Sequence, residues 1–159
     1  MNVNLVKATH EDIDQIHAMQ LITFKPLLEK YQDYDISPGN EPRSRVEERF
    51  NHPFTDFYLI KYGADTVGAI RIIHMEDRET CRVSPVFILP EFQSRGIAQQ
   101  VFTLVEQKYP WAKKWNLDTI KEEAGNCHLY EKIGYVWNGK TEMINERMTI
   151  IGYDKIMGE

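Results

Sequence analysis

The sequence predicts a mixed α/β domain of 159 residues built on one mostly antiparallel sheet. Three observations carry this reading. Three consecutive strand-like runs, "TDFYLIKY" (55–62), "TVGAIRIIHM" (66–75) and "ETCRVSPVFIL" (79–89), are joined by the short connectors "GAD" and "EDR", so they form an antiparallel meander. Helical patterns stand before and after the meander. No repeat, linker or low-complexity segment breaks the order, which predicts a single domain over 1–159.

In chain order, "NVNLVKA" (2–8) alternates as a strand. "THED" then reads as a capping box, with Thr9 at the N-cap and Asp12 three residues on, so a helix begins there. Ile13, Ile16, Leu21, Phe24 and Leu28 approximate one apolar stripe, but Pro26 disfavours helical geometry at Lys25 and is expected to break the element in two. "KYQDYDISPGNEP" (30–42) has no periodicity and reads as a mobile loop. A second helix is expected from Pro42 to Phe50, with Val46 and Phe50 on one side.

Within the third run of the meander, Pro85 cannot donate a ladder hydrogen bond and marks an edge, a bulge or a local opening of the sheet. The turn "PEFQSRG" leads into a helix with Ile97, Val101, Leu104 and Val105 on one face, ending at Pro110. "LDTI" (117–120) gives a short strand, "GNCHLYEKIG" (125–134) a short helix closed by Gly134, and "RMTIIGYDKIM" (147–157) a final strand that could pair across a homodimer.

Composition narrows the function. A hydrophobic fraction of 42% and a charged fraction of 27% belong to an ordinary globular protein, and no apolar run nears the ~20 residues of a membrane span. The start "MNVNLVKATHEDID" lacks the pattern of a signal peptide, which makes a cytoplasmic location the expectation, with no membrane partner. Cys81 and Cys127 form no CxxC pair and do not cluster with the five histidines, so no metal is expected. The net charge of −5 argues against nonspecific nucleic-acid binding and fits a cationic or amine-bearing substrate.

The turn at 93–98 is the chemical feature. The first backbone N–H groups of a helix lack intrahelical acceptors and carry positive potential, Arg95 adds a guanidinium, and Gly96 and Ala98 leave room for an anion to approach the backbone. A phosphorylated ligand is the natural occupant. If the sheet opens between the third run of the meander and "LDTI", unpaired backbone groups there would bind an extended amide-containing ligand.

These residues resemble the GNAT superfamily of N-acetyltransferases. Gln93-Ser94-Arg95-Gly96-Ile97-Ala98 is similar to the family's Gln/Arg-x-x-Gly-x-Gly/Ala signature, preceded by a strand and proline in Val86-Phe87-Ile88-Leu89-Pro90. "LYEKIGY" (129–135) resembles a second family segment at the family's separation. The resemblance implies a GNAT-like sheet splayed after its fourth strand, with helices on both faces, and acetyl-CoA as cosubstrate. The diphosphate would lie on the N–H groups of Ser94 to Gln99, with pantetheine along Val86, Phe87 and Ile88.

It further implies that Tyr130 protonates or stabilises the leaving thiolate, a role that suits a phenol protonated at neutral pH. Counting back from Tyr130, the slot of a coenzyme-contacting Asn holds Glu123. Asn126 nearby either replaces that Asn or caps the short helix, and capping is the slightly favoured reading. Glu79, His74, Glu122 and His128 stand as candidate bases, alongside water. The loop at 30–42 lies where the family places acceptor-specificity elements, so Tyr31, Tyr34 and Asp35 are expected to receive a cationic amine. The implied activity is acetyl transfer to a primary amine of a small molecule or peptide; a noncatalytic acyl-CoA-binding module of the same fold is the alternative.

Overall fold

The computed structural model describes residues 2–158. Its centre is a seven-stranded sheet in the order β1-β2-β3-β4-β5-β7-β6, formed by β1 (Val3–Lys7), β2 (Thr55–Tyr62), β3 (Asp65–His74), β4 (Thr80–Ile88), β5 (Lys114–Ile120), β6 (Val136–Asn145) and β7 (Met148–Ile156). Every neighbouring pair is antiparallel except β4 and β5, which run parallel. The four helices are α1 (Ile13–Tyr31), α2 (Arg43–Asn51), α3 (Ile97–Lys108) and α4 (Ala124–Lys132).

Strand alternation sends side chains to two cores. Phe57, Leu59, Ala69 and Phe87 pack with Ile13, Ile16, Met19 and Val46 of α1 and α2. Tyr58, Ile60, Ile70, Ile72 and Ile88 pack on the other face with Val101, Phe102 and Val105 of α3 and Tyr130 of α4. Helices therefore cover both faces of a mixed, mostly antiparallel sheet, as expected.

One close approach fixes the meander. A Cβ at Gly68 would lie 2.0 Å from the Phe87 carbonyl oxygen, so β3 and β4 have their spacing only because residue 68 has no side chain. Gly68→Ala forces backbone apart in the buried centre of the sheet. We expect a loss of at least ~2 kcal/mol in urea unfolding, since overpacking against backbone cannot relax by a rotamer change; a midpoint within error of the parent would contradict this contact.

Several expectations need correction. α1 is one continuous helix through Pro26. The missing N–H would have bonded the Ile22 carbonyl, and Ile22 is exposed, so water can satisfy that oxygen while Ile16, Met19, Gln20 and Tyr31 anchor the helix on both sides of the proline. The segment 30–42 is fastened rather than loose. Ser37 N–H donates to Asp33 O at 2.9 Å, Ser37 Oγ accepts from Gly39 N–H at 3.0 Å at the start of a 3-10 turn, and Gln20 Nε2 reaches Pro38 O at 3.0 Å.

The strand β6 escaped the sequence reading because its side chains are exposed over most of its length and show no apolar face. Its presence alters the reading of the final strand. β7 is paired with β5 on one side and β6 on the other, so it offers no free edge for a dimer. β1 and β6 are the sheet edges.

Candidate active site

β4 and β5 pair only over Thr80–Arg82 against Lys114–Asn116 and then separate. The point of separation is braced: Arg82 donates to Asn116 Oδ1 at 3.0 Å and to Asp118 Oδ2 at 2.8 Å, and Lys140 Nζ reaches the same Oδ2 at 2.9 Å. Burial pushes the Asp118 carboxyl up, but Lys140 and Arg82 outweigh it and hold the group below the usual carboxylate range. On the β4 side the buried Arg71 guanidinium donates to Ser84 O at 2.5 Å, in the bond before Pro85.

Beyond this brace lies a cleft of about 230 Å³. Val83, Ser84, Pro85 and Val86 of β4 form one wall, Leu117 to Ile120 of β5 the other, and Asn126 and Tyr130 of α4 reach it from the side. Phe24, Leu27, Asp33, Ile36 and Ser37 come over it from α1 and the following loop, with Met148 and Ile150 from β7. Backbone groups of β4 face the gap. Leu89 N–H donates to Val67 O at 2.7 Å and the Phe87 carbonyl lies against Gly68, so alternation directs the backbone of Val86 and Ile88 away from β3.

Past the end of β4, the turn to α3 is held by Gln93 Nε2 on Ile88 O at 2.8 Å. Ser94 (φ 62°) and Gly96 (φ 78°) are left-handed, and Gly96 is the N-cap of α3. A Cβ at Gly96 would meet no atom within 4 Å, so the space over the N-terminus of α3 is open. Arg95 donates to Glu91 O at 3.1 Å and lies 5.4 Å from the Phe92 ring centroid, exposed beside the turn. Ile97 is buried in the core and Ala98 is half-buried, so the former can face the turn only through its backbone.

Tyr130 sits at the junction of cleft and core. Its ring packs edge-on against Phe102 at 5.7 Å and Tyr135 at 6.0 Å, and only 8% of the residue is exposed. Burial, with the neighbouring Cys127 adding to it, pushes the phenol up to about 12, so it carries its proton throughout the neutral range.

Asn126 lies inside the first turn of α4, its N–H bonded to Glu123 O at 3.1 Å, and it lines the cleft; the capping role is overturned because Glu123 occupies the N-cap position. Glu123 accepts from Lys30 Nζ at 2.7 Å and from the Tyr31 hydroxyl, which ties the start of α4 to the end of α1. Burial pushes its carboxyl up, yet Lys30 and Tyr31 more than offset this and lower it overall. The expectation that Tyr31 receives a substrate amine is corrected by the same contact: Tyr31 is 2% exposed and its hydroxyl is committed to Glu123.

Tyr34 and Asp35 are exposed but do not line the cleft. None of the four candidate bases lines it either. Glu79 pairs with Lys113 at 3.3 Å, His74 bonds Asp56 at 2.9 Å, Glu122 accepts Thr149 N–H at 2.9 Å, and His128 is exposed on α4. A larger recess of about 420 Å³ lies by the β3–β4 hairpin, lined by Phe54, His74, Met75 and Trp111 among others, away from the opened turn. Two acids do face the cleft, Asp118, engaged by Arg82 and Lys140, and Asp33, which the sequence reading passed over.

A mostly antiparallel sheet splayed between its fourth and fifth strands, with a helix-opening turn at the end of the fourth, is the arrangement that the resemblance to the GNAT superfamily implied. The chain belongs to the acetyltransferase (GNAT) family, and is therefore an acyltransferase: the model of that family matches residues 24–135, more than two thirds of it. Solved structures share the fold. A spermidine N-acetyltransferase from Vibrio cholerae in complex with CoA and spermine is 18% identical, with 97% of this chain and 95% of that one covered and a TM-score of 0.76. An acetyl transferase from Salmonella typhimurium that modifies the N-terminal serine of the 50S ribosomal subunit protein L7/L12 is 15% identical over 99% of this chain and 96% of that one, TM-score 0.77. The Microcin C7 self immunity acetyltransferase, in complex with acetyl-CoA and AMP, is 15% identical over 98% and 92%, TM-score 0.75.

Proposed function

We propose that the protein transfers the acetyl group of acetyl-CoA to the primary amine of a small molecule or peptide. The observation that carries this reading is placement: β4, which walls the gap with Val83 to Val86, leads directly into the open, left-handed turn at Gly96, and the buried, protonated Tyr130 lines the same gap. The residues fit a coenzyme-A thioester. Ser94 to Gln99 offer backbone N–H groups and the positive end of α3 to a diphosphate, with Arg95 alongside. Val86 and the Ile88 N–H, turned away from β3, offer strand-like backbone partners to pantetheine amides, whereas the expected Phe87 backbone is turned to β3; Asn126 offers a side-chain amide.

The bound thioester supplies an activated acetyl group. The chain's part is to align it, to keep water out with the apolar walls, and to deliver a proton from the Tyr130 hydroxyl to the departing sulfur. Among the described residues there is no group of three or more His, Cys, Asp or Glu that could hold a metal, and no helix long and apolar enough to cross a membrane.

A thermal-shift comparison of acetyl-CoA, CoA and ATP, followed by a screen of amines with free-thiol detection, tests the reading. Ligand at about 100 times its Kd stabilises the native state by about 2.7 kcal/mol, enough to raise Tm by several degrees. Stabilisation by ATP but not by either coenzyme would overturn it. Binding of acetyl-CoA with no thiol release from any amine would favour the noncatalytic acyl-CoA-binding alternative.

Hydrogen exchange probes the same cleft at residue level. Saturating CoA is expected to slow the Val86 and Ile88 amides several-fold, because these groups face the gap and gain hydrogen-bond partners there. Unchanged exchange at both would place pantetheine elsewhere.

A further inference from the structure

Asp33 stands apart from every other acid on the cleft. It is 8% exposed, its Oδ1 is fully buried without a hydrogen-bond partner among the described residues, and it lines the cleft beside Ile36 and Ser37. An unpaired carboxylate oxygen in an apolar setting is costly, so its retention calls for a partner that arrives with the substrate. The second carboxylate on the cleft, Asp118, is already engaged by Arg82 and Lys140. Around Asp33 the walls are Phe24, Leu27, Ile36, Met148 and Ile150.

We infer that Asp33 receives and deprotonates the ammonium group of the acceptor, and that the acceptor is a primary monoamine carried on an apolar body. This rests on the acetyl-transfer reading above and names its acceptor class. A polyamine would bring further ammonium groups into a cleft that has no other unpaired carboxylate among the described residues, whereas an apolar body finds matching walls. Burial also raises the Asp33 carboxyl above the usual carboxylate range, which brings its proton affinity closer to that of an amine.

The step balances as follows. One proton of R–NH3+ passes to an Asp33 carboxylate oxygen; the freed nitrogen lone pair forms the C–N bond to the thioester carbonyl carbon; the C–S bond breaks and the sulfur takes the Tyr130 proton. A second nitrogen proton restores Tyr130, and Asp33 later releases its own to solvent. The products are the amide, the free thiol and one proton.

The test compares the parent protein with Asp33→Asn, using acetyl-CoA with phenethylamine, hexylamine and spermidine. At pH 7 the substitution is expected to lower kcat/KM for the two monoamines by roughly 10²-fold, the scale of general-base help, with acetyl-CoA affinity within about twofold of the parent. The pH profile separates chemistry from mere support. A carboxylate acting on an ammonium gives a parent kcat/KM that is flat between the two pKa values, while the variant must wait for free amine and climbs about tenfold per pH unit. Unchanged kcat/KM, or a uniform drop with the parent's profile, overturns the role. The parent alone supplies the second arm: kcat/KM for spermidine above that for both monoamines overturns the acceptor class, even if Asp33→Asn fails to fold. Failure of acetyl-CoA to bind the parent would instead overturn the acetyl-transfer reading itself.

Discussion

Gly96→Glu is expected to leave the fold intact and to lower acetyl-CoA affinity by about 10³-fold. The two halves of this outcome have separate physical causes. A Cβ at residue 96 meets nothing within 4 Å, so the cost of the substitution is the left-handed φ of 78°, on the order of 1–2 kcal/mol for a non-glycine residue. A carboxylate at the N-cap of α3 also lies at the positive end of the helix, which offsets part of that cost. A coenzyme diphosphate would compete for the same N–H groups. Two unit charges of like sign about 4 Å apart repel by about 4 kcal/mol near a protein surface, which is about three powers of ten in Kd. Isothermal titration with acetyl-CoA, on protein whose circular dichroism matches the parent, is the measurement. An unchanged Kd in the folded variant would remove the turn from the binding site.

Legibility of the fold in the sequence followed the strength of the local pattern. The meander was readable because β2, β3 and β4 are buried on both faces and joined by short turns, and α3 because Ile97, Val101 and Val105 keep a helical period. Pro26 misled because its local cost was weighed without the tertiary anchors at Ile16, Met19 and Tyr31. β6 was silent for the opposite reason. It is held as a strand by pairing with β7 rather than by an apolar face of its own, and Gly139 (φ 94°) interrupts its register between Trp137 and Thr141.

The site divides in the same way. Backbone-built features were visible, since Gly96, Pro85 and the spacing of "LYEKIGY" report on local geometry. Features made by distant contacts were not. Nothing in "KYQDYD" distinguishes Tyr31, folded inward onto Glu123 92 residues away, from Tyr34, which is 60% exposed. Nor does it distinguish Asp33 from Asp35. The helix geometry decides: α1 ends in Gln32 at a left-handed φ of 54°, whose N–H closes on Leu28 O at 2.8 Å, and the reversal turns Asp33 inward while leaving Asp35 outside. A loop aspartate immediately after a helix C-cap was the available signal, and it is a faint one.

Tyr130→Phe is expected to reduce kcat by roughly 10²–10⁴-fold while acetyl-CoA affinity and stability change little. The ring keeps its place. Its edge-on contacts with Phe102 and Tyr135 and its tilted contact with Tyr153 involve carbon atoms that phenylalanine retains, and the Tyr130 hydroxyl bonds no other side chain or backbone group among the described residues. A hydroxyl without a protein partner contributes little to folding, so its removal is expected to shift stability by less than ~1 kcal/mol. On the proposed acetyl-transfer reading its value lies in the reaction. Burial pushes the phenol up to about 12, which keeps the proton in place at neutral pH, and a leaving thiolate is the group that needs it. Single-turnover thiol release, with an amine that the parent turns over, isolates the chemical step from product release. A single-turnover rate within about threefold of the parent would leave Tyr130 as a packing residue, and the sulfur would then have to take its proton from solvent entering the gap beside β5.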